Sequence, residues 1–256
     1  MGTYRSRYPG SSYGIGGYFP RGVKWLLIIN TAVFVFAFIL GLIDPVMAGS
    51  FLGIFGLRAA TFLRGAFWQP VTYMFLHDPT GFGHILINML TLWMFGIDLE
   101  RDWGTPRFLK YYFVCGIGAG ICDIVVSLVL SSAGAPTIGA SGAIYGVLLA
   151  FGLLYPNRTV FFSFLFPIPA KYFVMIMGAI AFLSSFNRAS PVSNVAHLGG
   201  MLFGYLYLRF GLHRVQWDAG RITDIYHRWR RRRLQQKFKV YMRKREQEQD
   251  RDRWVH

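Results

Sequence analysis

Trp25-Leu-Leu-Ile-Ile-Asn-Thr-Ala-Val-Phe-Val-Phe-Ala-Phe-Ile-Leu-Gly-Leu-Ile43 is a run of 19 residues without a charge. As a helix it would rise about 28 Å, close to the thickness of a bilayer's hydrocarbon core. It is too long for the core of a secretory signal and no cleavage site follows it, so it is expected to persist as a first span. Arg21 and Lys24 precede it and Asp44-Pro45 ends it. The whole chain agrees with this start. Of its 256 residues 54% are hydrophobic and only 15% are charged, less than a soluble domain carries. Apolar runs recur at Phe82–Leu99, Tyr111–Leu130, Ile138–Tyr155, Tyr172–Phe186 and Val195–Leu212. The fold class is therefore an all-α polytopic membrane protein with six spans.

The connections carry information of their own. Asp44–Thr80 holds two apolar pieces, Phe51–Leu57 and Phe62–Phe67, broken by Arg58 and Arg64. That pattern predicts helices lying against the membrane rather than crossing it. Val160–Ile168 is apolar but interrupted by Pro167, with Pro169 just after, and is expected to be a partly embedded loop. Residues 1–22 are expected to form a disordered cytoplasmic N-terminus, 23–212 the six-span domain and 213–256 a basic tail with helical character. Cys115 and Cys122 lie seven apart on one helix face, cannot bridge each other, and read as small apolar packers. No metal-ligand spacing is present, and neither a metal nor a cofactor is expected.

Orientation follows from the distribution of Lys and Arg. With the N-terminus cytoplasmic, 24 of the 27 Lys/Arg fall inside and three (Arg58, Arg64 and Arg188) fall outside. Both termini are thus expected in the cytoplasm, with a bacterial inner membrane as the setting. Fifteen of those basic residues lie from Arg209 onward. Such a cluster beside a span is suited to anionic lipid, and nucleic acid is not expected as a partner.

This topology lines up three residues. Even-numbered spans run from outside to inside, so His84, Ser141 and His197 each fall within the first turn or so of such a span, at the outer end and at similar depth. Asn88 follows His84 by one turn on the same face, and Tyr145 stands in the same relation to Ser141. Ser141 itself sits in Pro136-Thr-Ile-Gly-Ala-Ser-Gly-Ala-Ile-Tyr-Gly146, where Gly139 and Gly142 let other backbone approach. Gly200-x-x-x-Gly204 offers a close-packing face. Taken singly, each polar residue has a structural explanation as a hydrogen-bonding group between helices, and the small residues as packing contacts. Packing does not require a serine, two histidines and an asparagine at one depth, whereas acyl transfer requires a nucleophile, a base and oxyanion donors. The free N–H groups of a helix's first turn add to such donors. Asp123, the one carboxylate deep in a span, is expected on the inner half and is left out of the site.

The segments Gly139-Ala-Ser141-Gly, His84-x-x-x-Asn88-Met-Leu with Phe95-Gly-x-x-Leu-Glu100, Phe166-Pro-x-Pro-Ala-Lys171 and Ala196-His197-Leu-Gly-Gly-x-x-x-Gly204 resemble those of rhomboid intramembrane serine proteases. They occur in the family's order and span Trp25–Leu212. The resemblance implies a six-helix bundle around a water-filled cavity open to the outside, with transmembrane proteins as substrates. It implies Ser141 as nucleophile and His197 as general base. It also implies an oxyanion hole from the Ser141 N–H, His84 and Asn88, with Tyr145 stacked beneath His197 and Glu100 fastening the inner end of the second span. Where the family often carries Trp-Arg, this chain has Trp68-Gln69, and the tail Arg214–His256 has no counterpart. A zinc protease would need His-Glu-x-x-His, which is absent, and no internal repeat supports a transporter. The alternative within the family is a catalytically weak protein that binds transmembrane clients.

Overall fold

The computed structural model describes residues 19–130, 135–162, 166–185 and 194–211. The expectations for the N-terminal 18 residues and for the basic tail lie outside them. Arg21–Ile43 is α1, and a first connection carries α2 (Pro45–Phe55), α3 (Ala59–Leu63), α4 (Gln69–Thr72) and a 3-10 turn at Tyr73–Phe75. Then come α5 (Phe82–Trp103), α6 (Thr105–Val129) and α7 (Ser141–Leu154). A hairpin of β1 (Thr159–Phe162) and β2 (Phe166–Pro169) leads to α8 (Ala170–Ser184) and α9 (Asn194–Leu206), which continues as a π-helical turn over Tyr207–Gly211.

The architecture is an all-α rhomboid-like bundle built from α1 and α5–α9. By length and composition α1, α5 and α6 can each cross a membrane, and α2, α7 and α8 are shorter apolar helices. Large apolar side chains stay exposed on the outside of the bundle, among them Leu42, Val129 and Leu183. That is the surface a lipid-embedded protein presents, since lipid tails solvate it without cost. The protein is an integral membrane protein.

Small residues decide how the inner helices meet. α6 runs through the centre, with Gly116, Gly118, Ala119 and Gly120 buried. A Cβ on Gly118 would collide with the Phe203 ring, one on Gly199 would stand 2.8 Å from Cys122 Cβ, and one on Gly204 would stand 2.5 Å from Tyr111 Oη. Cys115 and Cys122 are thus small packers at these crossings, both free thiols. Close backbone approach of this kind is what drives helix association where no hydrophobic force acts between helices. The Tyr111 hydroxyl donates to the Gly146 carbonyl at 2.6 Å and Tyr73 donates to Gly116 at 2.6 Å, so the two phenols tie α6 to α7 and to the first connection.

Glu100 fastens α5 to α1. Its carboxylate accepts from the Gly22 and Val23 amides at 2.7 and 2.6 Å, and from Thr105 Oγ1 at 2.5 Å. Amides of the first turn have no partner within their own helix, and a buried carboxylate there also meets the positive end of the dipole.

Two expectations change. Within the stretch expected to be a loop, Thr159–Phe162 and Phe166–Pro169 are strands, paired Thr159–Pro169, Val160–Ile168, Phe161–Pro167 and Phe162–Phe166. Pro167 and Pro169 are two apart, so both place their missing N–H on the same free edge, and the ladder loses nothing. Asp123 lies toward the end of α6 that neighbours Ser141, not at the opposite end as expected. α6 rises toward the end that carries Ser141, and Asp123, in its last third, accepts from Thr137 Oγ1 at 2.8 Å.

Candidate active site

Ser141 opens α7, preceded by extended chain rather than by more helix. α7 is short for a span, 14 residues, because its lead-in enters the protein as a strand-like segment. Non-helical backbone at such depth must be satisfied by protein, and here the first connection does it. Leu57 and Thr137 exchange two backbone hydrogen bonds, of 2.9 and 2.8 Å. The Gly139 amide donates to the Tyr73 carbonyl at 2.9 Å. Gly139 has φ +122°, a conformation glycine adopts freely and other residues rarely. That turn swings the chain past His84 and presents Ser141.

The Ser141 hydroxyl lies 2.8 Å from His197 Nε2, across a separation of 56 residues. α9 approaches closely enough because Gly200 packs against the Gly142 carbonyl. The His197 ring is stacked on Tyr145, with centroids 4.3 Å apart and planes 6° apart. His197 is 7% exposed, and its Nδ1 finds no hydrogen-bond partner among the described residues. Stacking therefore does the orienting that a third, carboxylate member does in a triad.

His84 and Asn88 face the same place. A Cβ on Gly139 would stand 2.9 Å from His84 Nε2 and 3.8 Å from Ser141 Oγ, so Nε2 points into the space beside the nucleophile. His84 Nε2 and Asn88 Nδ2 are both buried without a hydrogen-bond partner. Buried donors ordinarily find acceptors, and leaving one unmet costs about 1–3 kcal/mol.

All the residues singled out from the sequence have a place here. Ser141, His197, Tyr145 and His84 converge, and Asn88 lies buried one turn from His84 on α5; Gly139, Gly142, Gly200 and Gly204 permit the approach; Glu100 acts at the opposite end of α5. Two contributors were missed. Gln69, the substitute for the family arginine, is 1% exposed; its Oε1 accepts from the Arg58 amide and from Thr61 Oγ1, and its Nε2 donates to the Ile54 carbonyl. A buried glutamine thus knits the first connection. His77, fully buried, packs its ring 5.1 Å from that of His84. The available signal was a histidine seven residues before His84 in an otherwise apolar stretch, but spacing alone does not bring it to the site.

A profile of the Rhomboid domain matches residues 64–214. The chain is similar to Rhomboid protein 1, mitochondrial, of Saccharomyces cerevisiae, 31% identical over 58% of this chain and 43% of that protein. It is similar to Rhomboid protease GluP of Bacillus subtilis, 34% identical over 56% of this chain and 25% of that protein. It is also similar to Rhomboid-like protein 16, chloroplastic, of Arabidopsis thaliana, 27% identical over 78% of this chain and 70% of that protein. The chain thus spans less than half the length of the yeast and Bacillus relatives.

Proposed function

The chain belongs to the rhomboid family, and from that premise we propose that it is an intramembrane serine endopeptidase that cleaves transmembrane proteins through a Ser141–His197 dyad. The observation that carries this reading is the 2.8 Å contact between Ser141 Oγ and His197 Nε2 with the unpaired His84 Nε2 beside it. His197 takes the hydroxyl proton as Ser141 Oγ attacks the scissile carbonyl carbon. The carbonyl oxygen becomes an anion, held by the Ser141 amide, His84 and Asn88. Collapse breaks the peptide C–N bond. The imidazolium passes its proton to the departing amine, which leaves an ester on Ser141. Water, deprotonated by His197, then attacks the ester carbon; the Ser141 Oγ–C bond breaks, the imidazolium returns its proton to Oγ, and the new carboxyl end departs.

We place Ser141 toward the outer face, with both termini cytoplasmic, on the Lys/Arg distribution. A helical substrate has its scissile bond shielded, so it must unwind near that face, inside a wet, protein-lined site. Small or helix-breaking residues there favour cleavage. The tail from residue 213 is suited to anionic lipid on the inner side. Relatives bear mitochondrial and chloroplastic names as well as a Bacillus source, so they do not favour a bacterial inner membrane over an organelle. The test is a fluorophosphonate probe combined with cleavage of a model transmembrane substrate. Labelling and cleavage by wild type, both lost in Ser141→Ala, support the proposal; cleavage retained by Ser141→Ala ends it.

A further inference from the structure

Asp123 is a buried carboxylate in the last third of α6, and its Oδ2 accepts from Thr137 Oγ1 at 2.8 Å. An ionisable side chain inside a span is costly, and an apolar residue of similar size would pack without that cost. Packing therefore does not account for the residue; its partner does. Thr137 belongs to the extended lead-in, four residues before Ser141. That lead-in is already bonded through its backbone to the first connection, at Leu57 and at Tyr73. Those bonds set its register against the first connection, and neither of them reaches the helix on which α9 rests.

The Asp123 bond does reach it. Ala119, Cys122 and Asp123 share one face of α6, at steps of three and four. A Cβ on Gly199 would stand 3.1 Å from Ala119 Cα and 2.8 Å from Cys122 Cβ, so this face seats α9 two residues after His197. A Cβ on Gly142 would stand 2.6 Å from Ala119 Cβ, so the same face seats α7 one residue after Ser141. Ser141 is thus held to α6 on its C-terminal side through Gly142 and on its N-terminal side through Thr137. The dyad is a 2.8 Å contact between residues 56 apart, and both members are referred to one short stretch of one helix. A carboxylate bonds a hydroxyl more strongly than a neutral oxygen does. That suits a segment which has no helical hydrogen bonds of its own.

We propose that Asp123 is a positioning residue for the dyad: through Thr137 it fixes the lead-in of Ser141 to the turn of α6 that also seats α9, and so sets Ser141 Oγ at hydrogen-bonding distance from His197. This rests on the protease reading for its consequence in turnover, but not for the placement of the lead-in. Asp123 acts through Thr137 and takes no part in the chemistry.

The experiment uses the full chain in detergent and reads three quantities: hydrogen–deuterium exchange over residues 136–141, steady-state kinetics well below the unfolding transition, and the thermal midpoint. Thr137→Val keeps the shape of the side chain and removes the donor. It is expected to speed exchange in that segment and to lower kcat about 10- to 100-fold with KM unchanged, the cost of a small misplacement of a reacting group. Thr137→Ser, which retains the hydroxyl, is expected to recover slow exchange and most of kcat. The double variant Asp123→Leu/Thr137→Val leaves neither partner of the bond unmet. Its midpoint is expected to rise above that of Thr137→Val, while kcat stays as low, because the lead-in is still untied. Unchanged exchange in Thr137→Val overturns the inference, and so does a kcat that climbs back with the midpoint in the double variant, which is what a merely structural bond would give. Absence of turnover in wild type would sink the protease reading instead, and exchange would still decide the placement.

Discussion

Gly200 of α9 meets Gly142 of α7 backbone to backbone: a methyl group on Gly200 would fall inside the van der Waals surface of the Gly142 carbonyl oxygen. The neighbour is main chain, one residue after Ser141, and cannot swing aside as a side chain could. Gly200→Ala must therefore push α9 away and carry His197 with it. The expected result is a destabilisation of about 1–3 kcal/mol with loss of most activity, read by thermal unfolding and substrate cleavage. Gly178→Ala is the control, since its new methyl would meet only Met201 Cε and Sδ at 3.5 Å. It should unfold and cleave like wild type.

The dyad predicts an energetic signature. Ser141→Ala and His197→Ala should each abolish measurable turnover, and the double variant should be no worse than either, because nucleophile and base act as one unit. Cleavage rates of the three variants settle it; multiplicative losses would contradict a shared step.

The unpaired donors predict where a loss will fall. Asn88→Ala and His84→Ala should each lower kcat by the equivalent of about 3–4 kcal/mol and leave KM nearly unchanged, since their acceptor arises only in the transition state. Steady-state kinetics on a transmembrane substrate separates the two constants. A raised KM with kcat preserved would assign the residue to substrate binding.

His77 makes stability depend on pH. Burial first, and the neighbouring His84 second, hold its imidazole down to a pKa of about 3, opposed by the Phe75 carbonyl. Unfolded, the same side chain takes a proton near pH 6.5. Below that pH the unfolded chain binds a proton that the native site refuses, so stability falls as pH drops from about 6.5 toward 3. The loss reaches about 1.4 kcal/mol per pH unit. The thermal midpoint in detergent should thus fall between pH 7 and 5, and His77→Phe should flatten part of that slope.

Gln69 predicts a defect at a distance. Gln69→Met keeps the length but removes an acceptor of two bonds and a donor of one, leaving the Arg58 amide to find another partner and the Ile54 carbonyl only the Trp68 indole N–H. The expected cost is about 1–3 kcal/mol, seen as a lower thermal midpoint and as faster proteolysis within residues 54–69.

The meeting of these residues was readable because alternation of spans brings His84, Ser141 and His197 to one end, and a four-residue step puts Asn88 and Tyr145 on the same helix faces as His84 and Ser141. The hairpin was not, because prolines at 167 and 169 signal breakage unless strand pairing assigns them to a free edge. Asp123 was expected away from Ser141 although the same alternation covers it: α6 rises toward the end that carries Ser141, so a residue in its last third sits near Thr137. Gln69 and His77 owe their roles to contacts made across folded loops, and no periodicity within α5 or the first connection reports those.

The pairing of Leu57 with Thr137 separates inheritance from mechanics. The recognisable Rhomboid domain begins at residue 64, yet the strand that delivers the nucleophile is bonded to a residue upstream of it, and Glu100 closes on Gly22 and Val23 further upstream still. The packed unit is longer than the stretch that the Rhomboid domain model matches. In a chimera, grafting the homologous core alone would leave one strand edge and one carboxylate bare. A register change in residues 54–58 would leave the Thr137 amide and carbonyl without the Leu57 partners they have here.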